Sequence, residues 1–215
     1  MSHAAIRRLP LPPTRLPFVN AEIAQVSFGG SPHLVSSIWG GSLGGRLYFW
    51  NPETGSHAMR ELPHGVPGAY MLRPGDDGAL YLGGGDGTLL RYDGDSDQFT
   101  TLSRGELSGI SWGGAVIGRR VFWNASHNRR SGAVACYDLD AGRTVKIFSP
   151  LDDGQPQALY GHAAQVTPDG RVLWGLNVPQ SRLALIDPVN LTREIINPSW
   201  LVEKSWVAFK FVDQD

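Results

Sequence analysis

The chain has 215 residues, enough to bury a substantial core as one domain or as a tight array of small units. Nineteen lysines and arginines against twenty acidic residues leave a net charge of −1, so no overall field draws it to nucleic acid or to an anionic membrane. A single cysteine, Cys136, excludes an intrachain disulfide framework, and 27 glycines, 15 prolines and seven tryptophans favour short strands punctuated by turns: an all-β fold is expected.

Residues 1–20 carry Pro10, Pro12, Pro13 and Pro17 and read as an extended arm, because proline cannot donate to a sheet ladder and steers its predecessor away from helix. The N-terminus lacks the apolar stretch of a signal peptide, and no segment approaches membrane-spanning length. A soluble, cytoplasmic protein with no membrane partner and no nucleic-acid partner is therefore expected.

Beyond the arm the chain repeats. Four segments end in a similar strand and turn: Arg46-Leu-Tyr-Phe-Trp-Asn51, Leu89-Leu-Arg-Tyr-Asp93, Val134-Ala-Cys-Tyr-Asp138 and Leu183-Ala-Leu-Ile-Asp187. Their turn residues lie 42, 45 and 49 positions apart, the period of a four-stranded propeller blade. A glycine introduces a short apolar strand in Gly78-Ala-Leu-Tyr-Leu82, Gly118-Arg-Arg-Val-Phe-Trp123 and Gly170-Arg-Val-Leu-Trp174. Such continuous apolar runs suit strands sandwiched between blades, whereas Gln98-Phe-Thr-Thr-Leu102 and Arg143-Thr-Val-Lys-Ile-Phe148 mix polar and apolar residues as half-exposed outer strands do. The expected division is four blades at 21–62, 63–104, 105–153 and 154–200, with 201–215 as the first strand of a further blade. A ring of six or seven units would need about 270 to 315 residues at about 45 per blade. The expected architecture is thus a partial or truncated β-propeller of about four blades, prone to self-association or completed by further blades; the alternatives are a ring completed by another chain and a compact four-bladed ring whose final strand covers an edge.

The run from Asp77-Gly78 through its apolar strand to Gly87-Thr-Leu-Leu-Arg-Tyr-Asp93 resembles the blades of streptogramin-lyase-like and YVTN-like propellers, and the resemblance extends over most of residues 21–200. It implies the fold more than an activity, since such blades serve enzymes, sensors and scaffolds alike. Streptogramin lyases are metal-dependent enzymes that open a cyclic ester by elimination with a channel-face histidine. The resemblance therefore also implies a divalent metal, a base among His64, His127 and His162, and Glu106 as metal ligand or partner.

In a propeller the inter-blade connections and the loops between second and third strands open on one face, where functional residues gather. The connections supply His64, Glu106, Gln157, Tyr160 and His162, and the other loops supply Asp86, His127, Asn128, Arg129 and Gln180. His64 and His162 each stand just ahead of an inner strand, where an imidazole can act as base or ligand, or simply satisfy loop backbone groups. Asp86, in Gly83-Gly84-Gly85-Asp86-Gly87, can hold an anion or metal or form a strand connection, and it lacks the lysine of a phosphate-binding loop. Arg129 and Arg130 are placed to meet an anionic ligand or to form a solvated tip. Three readings follow: a module binding a small molecule or protein ligand through its channel-face loops, a metal-dependent propeller lyase or hydrolase, and an incomplete propeller without independent activity.

Overall fold

The structure is a computed structural model describing residues 18–125, 132–154, 158–177, 181–197 and 199. Among these there are only strands and three short 3-10 turns, and no helix is long and apolar enough to cross a membrane. The strands form four antiparallel four-stranded sheets, each following chain order from its first strand to its fourth. The first blade holds β1 (Phe18–Phe28), β2 (Ser31–Trp39), β3 (Arg46–Trp50) and β4 (His57–Glu61). Then come β5 (Ala69–Pro74), β6 (Leu80–Gly84), β7 (Leu89–Asp93) and β8 (Gln98–Ser103). The third has β9 (Gly114–Ile117), β10 (Arg120–Ala125), β11 (Ala133–Asp138) and β12 (Arg143–Phe148). The fourth has β13 (Leu159–Val166), β14 (Val172–Asn177), β15 (Arg182–Asp187) and β16 (Thr192–Ile196).

The first strands of successive blades, β1, β5, β9 and β13, contact one another in turn, so they form the inner wall. Among the described residues the four sheets do not close into a ring; they form an arc of a β-propeller. Strand β1 begins at Phe18, so the last residues of the expected N-terminal arm are already sheet. Residues 201–215 lie outside the described residues.

Burial follows the sequence pattern. Strand β6 is buried along its whole length, whereas β4 alternates between exposed and half-buried positions. A strand pressed between two neighbours needs apolar side chains on both faces; an outer strand needs them on one. Between the first and second blades Phe49 stacks on Phe28 at 4.6 Å and meets Tyr92 at 5.3 Å. Trp123 and Trp174 are fully buried, with their indole N–H groups donated to the carbonyls of Gly87 (3.1 Å) and Gly161 (3.0 Å). Trp50, which alternates with Phe49 along β3, points to the opposite face of its blade and is half-buried. Cys136 is fully buried, and burial pushes its thiol up to about 12, so it carries no thiolate at neutral pH.

The repeating turn residue has a repeating cause. The side-chain oxygens of Asn51, Asp93, Asp138 and Asp187 each accept the backbone N–H groups two and three residues on, at 2.7–3.2 Å. Each is an Asx turn that starts the outer hairpin. These bonds hold the carboxyls of Asp93, Asp138 and Asp187 below their ordinary value of 3.8. A carboxylate depressed in the folded state stabilises above its unfolded pKa and loses that contribution as pH falls through the folded one. The triple change of these aspartates to asparagine, which keeps the turn as Asn51 does, is therefore expected to flatten the fall in melting temperature below about pH 4. An unchanged acid limb would contradict this assignment.

Candidate functional site

The inner wall opens at the face where the connections β2–β3, β4–β5, β6–β7 and β8–β9 lie, and there the structure assembles an aromatic row. Trp39, at the end of β2, meets Tyr70 with ring centroids 5.2 Å apart and planes at 50°. Tyr70 meets Trp112 at 4.7 Å and 49°, and Trp112 stacks on His162 at 4.2 Å and 19°. Each blade contributes one ring. Trp39, Tyr70 and Trp112 are half-buried and His162 keeps solvent contact, so the row is a surface and not a core.

Local backbone explains how each ring reaches this face. Tyr70 sits where the β5–β6 register shifts between Ala69 and Met71, and His162 where the β13–β14 register shifts between Tyr160 and Ala164. A bulge re-aims a side chain that regular alternation would send into the sandwich. Trp112 precedes β9 between two anchored neighbours: Ser111 N donates to Gly84 O (3.1 Å) and Gly113 N to Asn124 Oδ1 (2.9 Å). Trp39 lies against Gly85 so closely that a Cβ there would stand 2.3 Å from its ring. Gly113 is equally constrained, since a Cβ there would lie 2.2 Å from the carbonyl of His162. Gly113→Ala is expected to push the third and fourth blades apart and lower the melting temperature, which a thermal melt reads; an unchanged melt would contradict this packing.

Partial desolvation of the His162 ring lowers its pKa below the ordinary 6.5, which favours the neutral imidazole. Burial raises that of the Tyr70 phenol above 10. The row is therefore an uncharged aromatic wall, suited to contact with apolar groups.

Of the residues singled out in the sequence, His162 belongs to this row. His64 stands on the turn between β4 and β5 in a left-handed conformation (φ 56°), exposed, and its imidazole has no hydrogen-bond or ion-pair partner among the described residues. Glu106 accepts from Ser103 Oγ (2.9 Å) and from Thr144 Oγ1, and so clasps the outer strands β8 and β12. Asp86 accepts the N–H of Thr88 (3.1 Å) and closes the β6–β7 turn beside Gly85, on which Trp39 rests. Tyr160 is 1% exposed; its hydroxyl accepts from Arg193 (2.6 Å), and burial pushes its pKa up to about 12. It belongs to the packing between the third and fourth blades. His127, Asn128, Arg129, Gln157 and Gln180 lie outside the described residues, as does Arg130. Among the described residues no three His, Cys, Asp or Glu side chains converge as metal ligands would.

Trp39, Tyr70 and Trp112 carry no catalytic motif. Trp39-Gly40, Trp112-Gly113 and Gly161-His162 do set a ring directly beside a glycine, and in Gly68-Ala-Tyr70 the glycine stands two positions away.

No protein-family profile and no curated protein sequence matches the chain. Solved structures do match. The Dos1 propeller aligns with a TM-score of 0.57 at 15% identity, over 75% of this chain and 43% of that one. A catalytically inactive virginiamycin B lyase from Staphylococcus aureus, crystallised with quinupristin, aligns at 0.60 and 8% identity over 87% of this chain and 58% of the other. The chain thus spans 43% and 58% of the lengths of these two structures, and the likeness, carried by backbone path at such low identity, is one of fold: this is a β-propeller protein.

Proposed function

We propose that this chain is a binding module and that the row Trp39, Tyr70, Trp112 and His162 takes a flat apolar group, carried by a small molecule or by a side chain of a protein partner. The single observation that supports the reading is the row itself, with successive centroids 4.2–5.2 Å apart across four blades and solvent on one side. Rigid rings offer large contact area at small entropic cost, and here bulges and glycine contacts hold them before any ligand arrives. Aromatic pairs contribute about 0.5–1.5 kcal/mol beyond area burial, and Trp112, stacked on one side and tilted on the other, is the centre of the row.

The test uses indole as a flat probe and cyclohexanol as a non-planar one, titrated against the full chain. Saturable binding of indole, weaker by about tenfold in Trp112→Ala while that variant still melts cooperatively, is expected. Equal response to cyclohexanol, or indole binding indifferent to Trp112→Ala, would contradict the reading. A lyase reading draws on the likeness to virginiamycin B lyase and on the neutral His162 at the mouth. It would require stoichiometric divalent metal in the purified protein, which elemental analysis measures directly.

A further inference from the structure

On the face opposite the mouth, the junction between the second and third blades holds a cleft of about 410 Å3. Its deep surface is made by Tyr81 and Tyr137, both buried, with Leu102 and Leu139 partly exposed beside them. Arg91 and Arg119 also line it, one from each blade, with side chains 27% and 54% exposed.

The same place at the other two junctions is tied across. Between the first and second blades Gly29 N donates to Gly94 O (3.2 Å), Ser27 Oγ to Asp95 (2.9 Å) and Arg60 reaches Asp97 at 2.7 Å. Between the third and fourth, Arg120 donates to the carbonyl of Val189 at 3.0 Å. At the second and third blades, among the described residues, no hydrogen bond joins the turn at 75–78 to the turn at 139–142. Arg91 pairs instead with Asp77 (3.1 Å) and Asp93 (3.6 Å) of its own blade, and Arg119 with Asp140 (2.9 Å) of its own. Each guanidinium is thus paired within its own blade, beside the Tyr81, Leu102, Tyr137 and Leu139 that make the uncharged part of the lining.

We propose that this cleft binds a small amphipathic carboxylate, its head on Arg119 and its aliphatic body against Leu102, Tyr137 and Leu139. The volume lies within the range of small-molecule sites. The Arg119–Asp140 pair is exposed on both sides, and such pairs exchange partners readily. The third charge in the lining, Asp77, is already engaged by Tyr81 Oη (2.9 Å), by Arg91 and by the N–H of Ala79 (3.2 Å), so it does not leave a bare anion facing the ligand. A guanidinium grips a carboxylate through parallel N–H donors, which fixes the head and leaves the body to the apolar wall.

The experiment is calorimetric titration of the full chain with octanoate, and with octanol as its uncharged counterpart. Saturable octanoate binding is expected, weakened about tenfold or more in Arg119→Glu and strengthened in Asp140→Ala, which releases Arg119. Both changes are on exposed side chains, and unchanged melts would show that the fold is intact. Octanol binding as tightly as octanoate, no saturable octanoate binding, or the same affinity in Arg119→Glu with an intact melt would each overturn the proposal.

Discussion

Replacing Asn124 with leucine is expected to cost about 3 kcal/mol or more of folding stability, read as a lower urea midpoint at unchanged slope. Asn124 is fully buried at the junction of the third and fourth blades. Its Oδ1 accepts the N–H of Gly113 (2.9 Å), and its Nδ2 donates to the carbonyls of Tyr160 (2.8 Å) and Gly161 (3.3 Å). Leucine has a similar size but leaves those backbone groups without this partner in a place water does not reach, at about 1–3 kcal/mol for each group left unpaired. Asn124-Ala-Ser126 also fits the glycosylation triplet, but a side chain buried in this way offers no acceptor in the folded protein. A midpoint shift worth less than about 0.5 kcal/mol, the scale of an ordinary surface substitution, would contradict the assignment.

Trp174→Ala is expected to cost about 3–5 kcal/mol, the range for deleting a large buried aromatic side chain. The indole packs edge-on against Tyr160, with centroids 5.9 Å apart, and donates to the carbonyl of Gly161. That carbonyl is shared with Asn124. The two changes should therefore couple, and a double-mutant cycle is expected to show a non-additive interaction of about 0.5 kcal/mol or more. Strict additivity would mean that the two side chains hold separate parts of the junction.

The blade repeat was legible because it has a local cause. An Asx turn needs its oxygen-bearing residue at a fixed place, so Asn51, Asp93, Asp138 and Asp187 recur in sequence as they do in the sheets. Burial of the middle strands was legible for the same reason, since β6 and β10 read as apolar runs and are buried. The aromatic row was not. Tyr70 and His162 are turned to the mouth by register shifts, which depend on pairing with a second strand and leave no mark on hydrophobic periodicity. Loop position placed Glu106 and Tyr160 among the candidates, but Glu106 ties β8 to β12 and Tyr160 is closed in by Arg193 and Trp174. Both roles are set by partners more than 30 positions away along the chain, Thr144 and Arg193, which no local pattern reveals.

The central claim, that the mouth row is the contact surface, is tested most directly by fluorine NMR of protein carrying 5-fluorotryptophan, titrated with indole. The row predicts saturable shifts or broadening of the Trp39 and Trp112 resonances, assigned by single substitution, while Trp123 and Trp174, fully buried with their N–H groups bonded, stay unchanged. Response confined to tryptophans outside the row, or none at saturating probe, would contradict it.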